Sequence, residues 1–109
     1  MPMRWLAVWL LWASGDVPEL LRRARELTAR PEHRAEAWKL GVEARDLARQ
    51  AGDRPHLAKA ELLLGNLARL AGRADESITL LAQAYAWGRA VSDLRVQADA
   101  LSLLSLQYV

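Results

Sequence analysis

Leucine and alanine recur along the chain at helical spacing, with charged and polar residues between them. Near the middle, Ala60, Leu64 and Leu67 fall on one helical face, and Lys59 and Asn66 fall on the opposite face. This periodicity and the turn residues between the segments predict six helices, at about 3–13, 17–30, 33–50, 55–70, 75–91 and 95–108. The connections are short, so we expect an all-α protein in which consecutive helices are antiparallel.

The sequence repeats itself with a period of about 40 residues. The motif Gly-Asp-x-Pro-x-Leu begins at Gly15 and again at Gly52, and a shift of 40 residues pairs Leu63 with Leu103. We expect one domain that comprises an incomplete unit at 1–14, repeats at 15–51 and 52–91, and a partial third repeat at 92–109. The first helices of the units are then 17–30, 55–70 and 95–108, and the second helices are 3–13, 33–50 and 75–91.

The turn residues of these units have a mechanical role. Gly15 and Gly52 are suited to ending a helix in the left-handed conformation. The segment 72–75 and Pro31 supply a second kind of turn, inside the repeat. The aspartates that follow the repeat turns are predicted to cap the next helices: Asp16, Asp53 and Asp93. Gly41 and Gly88 lie inside helices, which indicates close contact between helices at those points.

Residues 15–109 resemble the tetratricopeptide-repeat superfamily. Leu64-Gly65, Gly72 and Ala84 stand at the spacing of the family's Leu-Gly, later Gly and Ala positions, whereas Ala68 replaces a common Tyr. The longer period is similar to the solenoid region of large bacterial LuxR-type and antibiotic-regulatory ATPase activators, although this chain has neither their P-loop pattern nor a helix-turn-helix domain. The resemblance implies a short right-handed solenoid that binds protein or peptide and has no chemistry of its own.

The resemblance also implies that the first helices line a concave groove. The predicted peptide-binding residues are Arg22, Arg25, Lys59, Leu62, Asn66 and Arg69. Four of them are basic, so the expected partner is a protein or an acidic, carboxylate-bearing peptide. Charged stripes on helices usually face solvent. The alternative is therefore a hydrated surface, in which these cations pair with Glu19, Glu26 and Glu61 at helical spacing.

Both ends of the chain are unusually apolar. Trp5, Trp9 and Trp12 share one face of the first predicted helix, and leucine and valine cover its other faces. The segment 100–109 carries no charge. Solenoids need polar end repeats, so the ends indicate either excision from a longer solenoid or self-association through Trp5, Trp9, Trp12, Leu103 and Leu106. The second possibility makes the chain an oligomerisation or regulatory segment of a larger bacterial signalling or transcription-regulatory protein.

Composition excludes several kinds of site. The chain has no Cys, and His33 and His56 have no ligand-type partner one turn away, so we expect no catalytic residues, no metal and no cofactor. A net charge of +2, with arginines interleaved with glutamates, argues against a nucleic-acid partner. Residues 1–15 share the basic start and apolar core of a signal peptide, but three Trp favour a docked helix. We expect a cytoplasmic scaffold protein that makes no contact with membranes.

Overall fold

The computed structural model describes residues 16–108, and the side chains of residues 16–107. Its five α-helices are α1 (Val17–Thr28), α2 (Arg34–Gln50), α3 (Arg54–Leu70), α4 (Ala74–Ala90) and α5 (Leu94–Ser105). Short 3₁₀ turns at Pro31–His33 and Leu106–Tyr108 precede α2 and follow α5. No strand is present between residues 16 and 108, which confirms the all-α prediction. The predicted helix at 3–13 lies outside the described residues.

Three successive turns of the backbone have the same geometry. Gly52, Gly72 and Ser92 adopt positive φ angles of 67°, 77° and 58°. In each turn the backbone amide of the residue that follows donates a hydrogen bond to the carbonyl oxygen five residues before it. The Asp53 amide, for example, donates to the Ala48 carbonyl at 2.8 Å. This Schellman geometry closes the end of the preceding helix. The prediction for Gly52 is confirmed, and the expectation that residues 72–75 form a different kind of turn is wrong.

The helix starts show which predicted caps form. The Asp53 carboxylate accepts a hydrogen bond from the His56 amide at 3.2 Å, and that of Asp93 accepts one from the Val96 amide at 3.0 Å. Asp16 makes no side-chain cap bond, because its own φ and ψ of −81° and −14° are already helical. A capping side chain needs a residue outside the helical region. The predictions for Asp53 and Asp93 are confirmed, and the one for Asp16 is wrong.

The connection between α1 and α2 differs from the later turns. Arg30 is extended, with φ −109° and ψ 114°, because the ring of the following proline disfavours the helical conformation. Pro31 then begins the 3₁₀ turn that leads into α2. The predicted turn at Pro31 is confirmed, and it ends α1 two residues earlier than the periodicity predicted.

The main contacts join helices that are neighbours or next-but-one neighbours in the chain. Each helix packs on the next, and α3 also contacts both α1 and α5. The buried side chains form three clusters, each drawn mainly from three consecutive helices. Leu63 represents the cluster of α1 to α3, Leu80 that of α2 to α4, and Val96 that of α3 to α5. The core therefore shifts along the chain in steps of one helix.

Glycines allow the helices to approach closely. A Cβ atom on Gly41 would lie 2.8 Å from Cδ2 of Leu64, and one on Gly65 would lie 2.7 Å from Cδ2 of Leu81. A Cβ atom on Gly88 would lie 3.1 Å from Cγ1 of Val96. The close contacts predicted at Gly41 and Gly88 are confirmed.

None of the helices between residues 16 and 108 is long and apolar enough to cross a membrane.

Candidate functional site

A groove of about 710 Å³ lies between α1, α3 and α5. Helix α3 contributes residues of its predicted binding stripe, α5 contributes its cap and residues from its first turn as far as Leu103, and α1 contributes one arginine. The lining residues are Arg25, Lys59, Leu62, Leu63, Asn66, Asp93, Arg95, Val96, Asp99, Ser102 and Leu103. We call this surface the α1/α3/α5 groove.

The floor of the groove is apolar. Leu63 and Val96 are buried, and Leu62 and Leu103 are half-buried. Leu62 packs against the cluster that contains Val96, so the floor is continuous with the core between α3 and α5. Such a surface can take an apolar side chain of a ligand, while the polar residues on the walls fix its orientation.

The charges on the walls are unevenly distributed. Arg25 and Lys59 form no ion pair within the described part of the chain, whereas Nε of Arg95 lies 3.4 Å from Oδ2 of Asp99. The α1/α3 side of the groove therefore carries two uncompensated cations. The α5 side carries a paired cation and the capping carboxylate of Asp93. An acidic group would be stabilised on the first side and repelled on the second.

Asn66 is oriented by a neighbour on its own helix. Nη2 and Nε of Arg69 donate to Oδ1 of Asn66 at 2.9 and 3.3 Å. The carbonyl oxygen of this amide is thereby engaged, and the Nδ2 group, which can only donate, is left for a ligand. Asn66 can accordingly bind a carboxylate or carbonyl oxygen over the apolar floor.

The structure brings four of the six predicted peptide-binding residues into one surface. Arg25, Lys59, Leu62 and Asn66 all line the groove. Arg69 is not among the lining residues and reaches the site only through Asn66. Arg22 lies outside it.

Arg22 belongs to a surface ion-pair network. Its Nε donates to Oε2 of Glu19 at 3.0 Å, and its Nη1 donates to Oε1 of Glu26 at 2.6 Å. The hydrogen bond from Arg22 lowers the pKa of Glu19. This is the hydrated, paired arrangement that the alternative interpretation expected for the whole stripe. It describes Arg22 and does not describe Arg25 or Lys59.

Several lining residues were missed by the sequence analysis. Arg95 and Val96 come from the first turn of α5, Asp93 is its cap, and Asp99 and Ser102 lie further along the helix. The available signal was helical spacing, because Val96 and Arg95 precede Asp99 by three and four positions. Leu103, predicted for self-association, lines the groove, whereas Leu106 is 57% exposed and does not.

Glu61 lies on the other side of α3 and is only 2% exposed. Its Oε1 is 3.7 Å from Nη2 of Arg49 on α2, and its Oε2 has no hydrogen-bond partner. Burial raises the pKa of this carboxyl, and the nearby charges of Arg49 and Arg45 offset part of that effect. The expectation that Glu61 is a surface partner for cations of the groove is wrong.

Residues 16–108 contain no group of three or more His, Cys, Asp or Glu side chains placed to hold a metal ion. His56 instead contacts the cap of its own helix, with Nδ1 2.6 Å from Oδ2 of Asp53. Trp5, Trp9 and Trp12 of the predicted self-association surface lie outside the described residues.

Comparison with known proteins gives no match: no protein-family model fits the chain, and neither a curated protein nor a solved structure is significantly similar to it.

Proposed function

We propose that this chain is a non-enzymatic interaction scaffold, in which helix pairs stack as a short right-handed solenoid and an acidic peptide binds in the α1/α3/α5 groove. The regular helix starts and the contacts between α1, α3 and α5 support the stacked arrangement. In such an arrangement each repeat contacts only its neighbours.

The observation that carries the binding proposal is the pair of uncompensated cations beside a donor-only amide. Arg25 and Lys59 attract a carboxylate, and the Nδ2 group of Asn66 donates a hydrogen bond to it. The floor around Leu62 and Val96 takes an adjacent apolar side chain. The ligand is therefore an acidic peptide that also carries apolar residues, and it lies with its carboxylate toward α1 and α3.

Charge reversal in the groove tests this function. The double variant Arg25→Glu/Lys59→Glu should bind a fluorescein-labelled peptide of alternating Leu and Asp, with a free C-terminus, at least tenfold more weakly than the wild type, or about 1.4 kcal/mol. Fluorescence anisotropy measures both affinities at low and high salt, because screening should weaken the wild-type complex.

The matched control is Arg23→Glu, which reverses an exposed charge on α1 two residues from Arg25, outside the groove. It should leave the affinity unchanged. A second control peptide carries Asn in place of Asp and an amidated C-terminus. Equal affinity of the wild type for both peptides, or equal weakening by Arg23→Glu and by the double variant, would overturn the proposal.

A second candidate function is an oligomerisation or regulatory segment of a larger bacterial signalling or transcription-regulatory protein. The observation that favours it is the exposure of large apolar side chains on and after α5, with Leu94 77% and Leu101 52% exposed. Large exposed apolar residues that lie together commonly mark an interaction surface.

A further inference from the structure

One side of α5 carries an uncharged stripe that no described helix covers. Leu94, Ala98, Leu101 and Ser105 follow one another at intervals of four, three and four residues, and all four are exposed. This spacing places them on one helical face. None of them lines the α1/α3/α5 groove. We call this stripe the outer face of α5.

Three of these four positions are buried in α3, and the fourth, Leu94, is equivalent to Arg54, which is exposed. The 40-residue shift pairs Ala98, Leu101 and Ser105 with Ala58, Glu61 and Gly65, and all three of the α3 residues are buried. Gly65 is in contact with α4, where a Cβ atom would lie 2.7 Å from Leu81. Helix α4 thus packs against α3 at Ala58 and Gly65, whereas no helix among residues 16–108 covers the equivalent positions of α5.

The amino-acid sequence of residues 3–13 fits this vacant place. By the order of the repeat units it is predicted to be a second helix, the same kind as α4. Its predicted length of about 11 residues, or roughly 16 Å, matches the roughly 18 Å of α5. After Arg4 it is uncharged, as the outer face is, and its apolar residues on all sides require cover from more than one neighbour.

We propose that residues 3–13 of one copy of the chain dock on the outer face of α5 of a second copy, in the place that α4 occupies on α3. The contact is heterologous, because the two surfaces that meet are different parts of the chain. A pair of copies joined in this way therefore keeps an unused acceptor face on one chain and an unused donor segment on the other. Such a contact can join further copies into open chains or closed rings.

The first test is solution mass by light scattering over a wide concentration range. The wild type should show a mass that rises above its 12.2 kDa monomer with concentration. Leu101→Glu, which introduces a charge on the outer face, should require at least tenfold more protein to associate. The matched control is Ala86→Glu, an exposed position on α4, and this variant should associate as the wild type does. Circular dichroism confirms that each variant retains its helices.

The second test distinguishes this contact from a symmetric one. Trp9→Glu disables the donor segment and Leu101→Glu disables the acceptor face, so each variant alone should be monomeric. A mixture of the two should form a complex of two chains and stop there, because one intact donor segment meets one intact acceptor face. A wild type that stays monomeric at every concentration would overturn the proposal. So would a Trp9→Glu variant that self-associates like the wild type, since this outcome indicates contact between two α5 helices.

Discussion

At the scale of single residues, Glu61 is the most unusual feature of the described chain. Its equivalents in the neighbouring repeat units are Ala24 and Leu101, so a carboxylate occupies a position that the pattern assigns to small or apolar side chains. Only one of its oxygens lies near a cation, at 3.7 Å from Arg49. Burying a charge with incomplete partners costs free energy.

Replacing Glu61 by Leu should therefore stabilise the fold, by about 1–2 kcal/mol at neutral pH. Arg49 loses its partner at little cost, because its side chain is 60% exposed. Urea unfolding of the variant and the wild type at pH 7 measures the gain. The control is Glu43→Leu, at an exposed position of α2, where the change should be within about 0.5 kcal/mol.

The pH dependence of this gain has a definite sign. The pKa of Glu61 in the folded state is raised above the ordinary 4.5, so between these two values the folded chain binds more protons than the unfolded chain. The wild-type free energy of unfolding must then fall as pH rises through this window. The advantage of Glu61→Leu should be small below pH 4.5 and complete above the raised pKa. A constant advantage across pH would contradict this assignment.

Helical spacing predicts Glu61 on the surface, because it shows which residues share a face and does not show which faces are covered. Helix α3 contacts four other helices, so little of its circumference is exposed. The repeat alignment with Ala24 and Leu101 was the available signal of burial. By contrast, the uncovered groove side of α3 follows the pattern, and Lys59, Leu62 and Asn66 lie where the periodicity predicted.

At the scale of elements, the chain is built from helix-and-turn units of equal length. From α2 onward the helices begin at Arg34, Arg54, Ala74 and Leu94, and the three turns between them share one geometry. The 40-residue period of the sequence therefore contains two similar backbone units. The sequence predicted the helices to within about three residues because Gly, Pro and Asp mark the turns chemically. It did not predict the third turn's conformation, because Ser92 gives no signal of positive φ.

Ser92 at φ 58° should make its turn less stable than the turns at Gly52 and Gly72. A Cβ atom is disfavoured in this region by roughly 1–2 kcal/mol, so Ser92→Gly should raise the free energy of unfolding by about 1 kcal/mol. Gly52→Ala and Gly72→Ala should lower it by a similar amount. A Cβ at either glycine would meet no atom within 4 Å, so these substitutions report the backbone cost alone. Chemical denaturation measures all three, and a destabilised Ser92→Gly variant would disprove the account.

At the scale of the whole molecule, the order of contacts follows the order of the chain. Helix α3 is the centre of the described region, since it contacts all four of the other helices there. This arrangement explains why the groove could be predicted only in part. The α3 wall of the groove follows from periodicity. The contribution of Asp93 and Arg95 depends instead on the position of the start of α5 along the length of α3. Gly88 of α4 allows α5 to approach closely, since a Cβ atom there would lie 3.1 Å from Cγ1 of Val96, and no single helix pattern contains this contact.

A stack with neighbour contacts should open from its ends, whereas a globule with one shared core should open as a unit. Val96→Ala removes buried methyl groups from α5 at its contact with Ala58 and Ala84. The loss should be about 2 kcal/mol, or roughly thirtyfold in amide exchange rate. In the stack, this acceleration should be confined to α5 and the turn at Ser92.

Native-state hydrogen exchange measures this, and the Leu101→Glu background keeps association from protecting α5. The matched substitution is Val42→Ala on α2, beside the cluster of Leu64 and Leu80, and it should accelerate exchange in α2 and α3 as well. The contrast between the two variants locates the cooperative unit. If Val96→Ala accelerates exchange in α2 and α3 as much as in α5, the five helices unfold together, and the stacked arrangement would have to be abandoned as the source of the fold's stability.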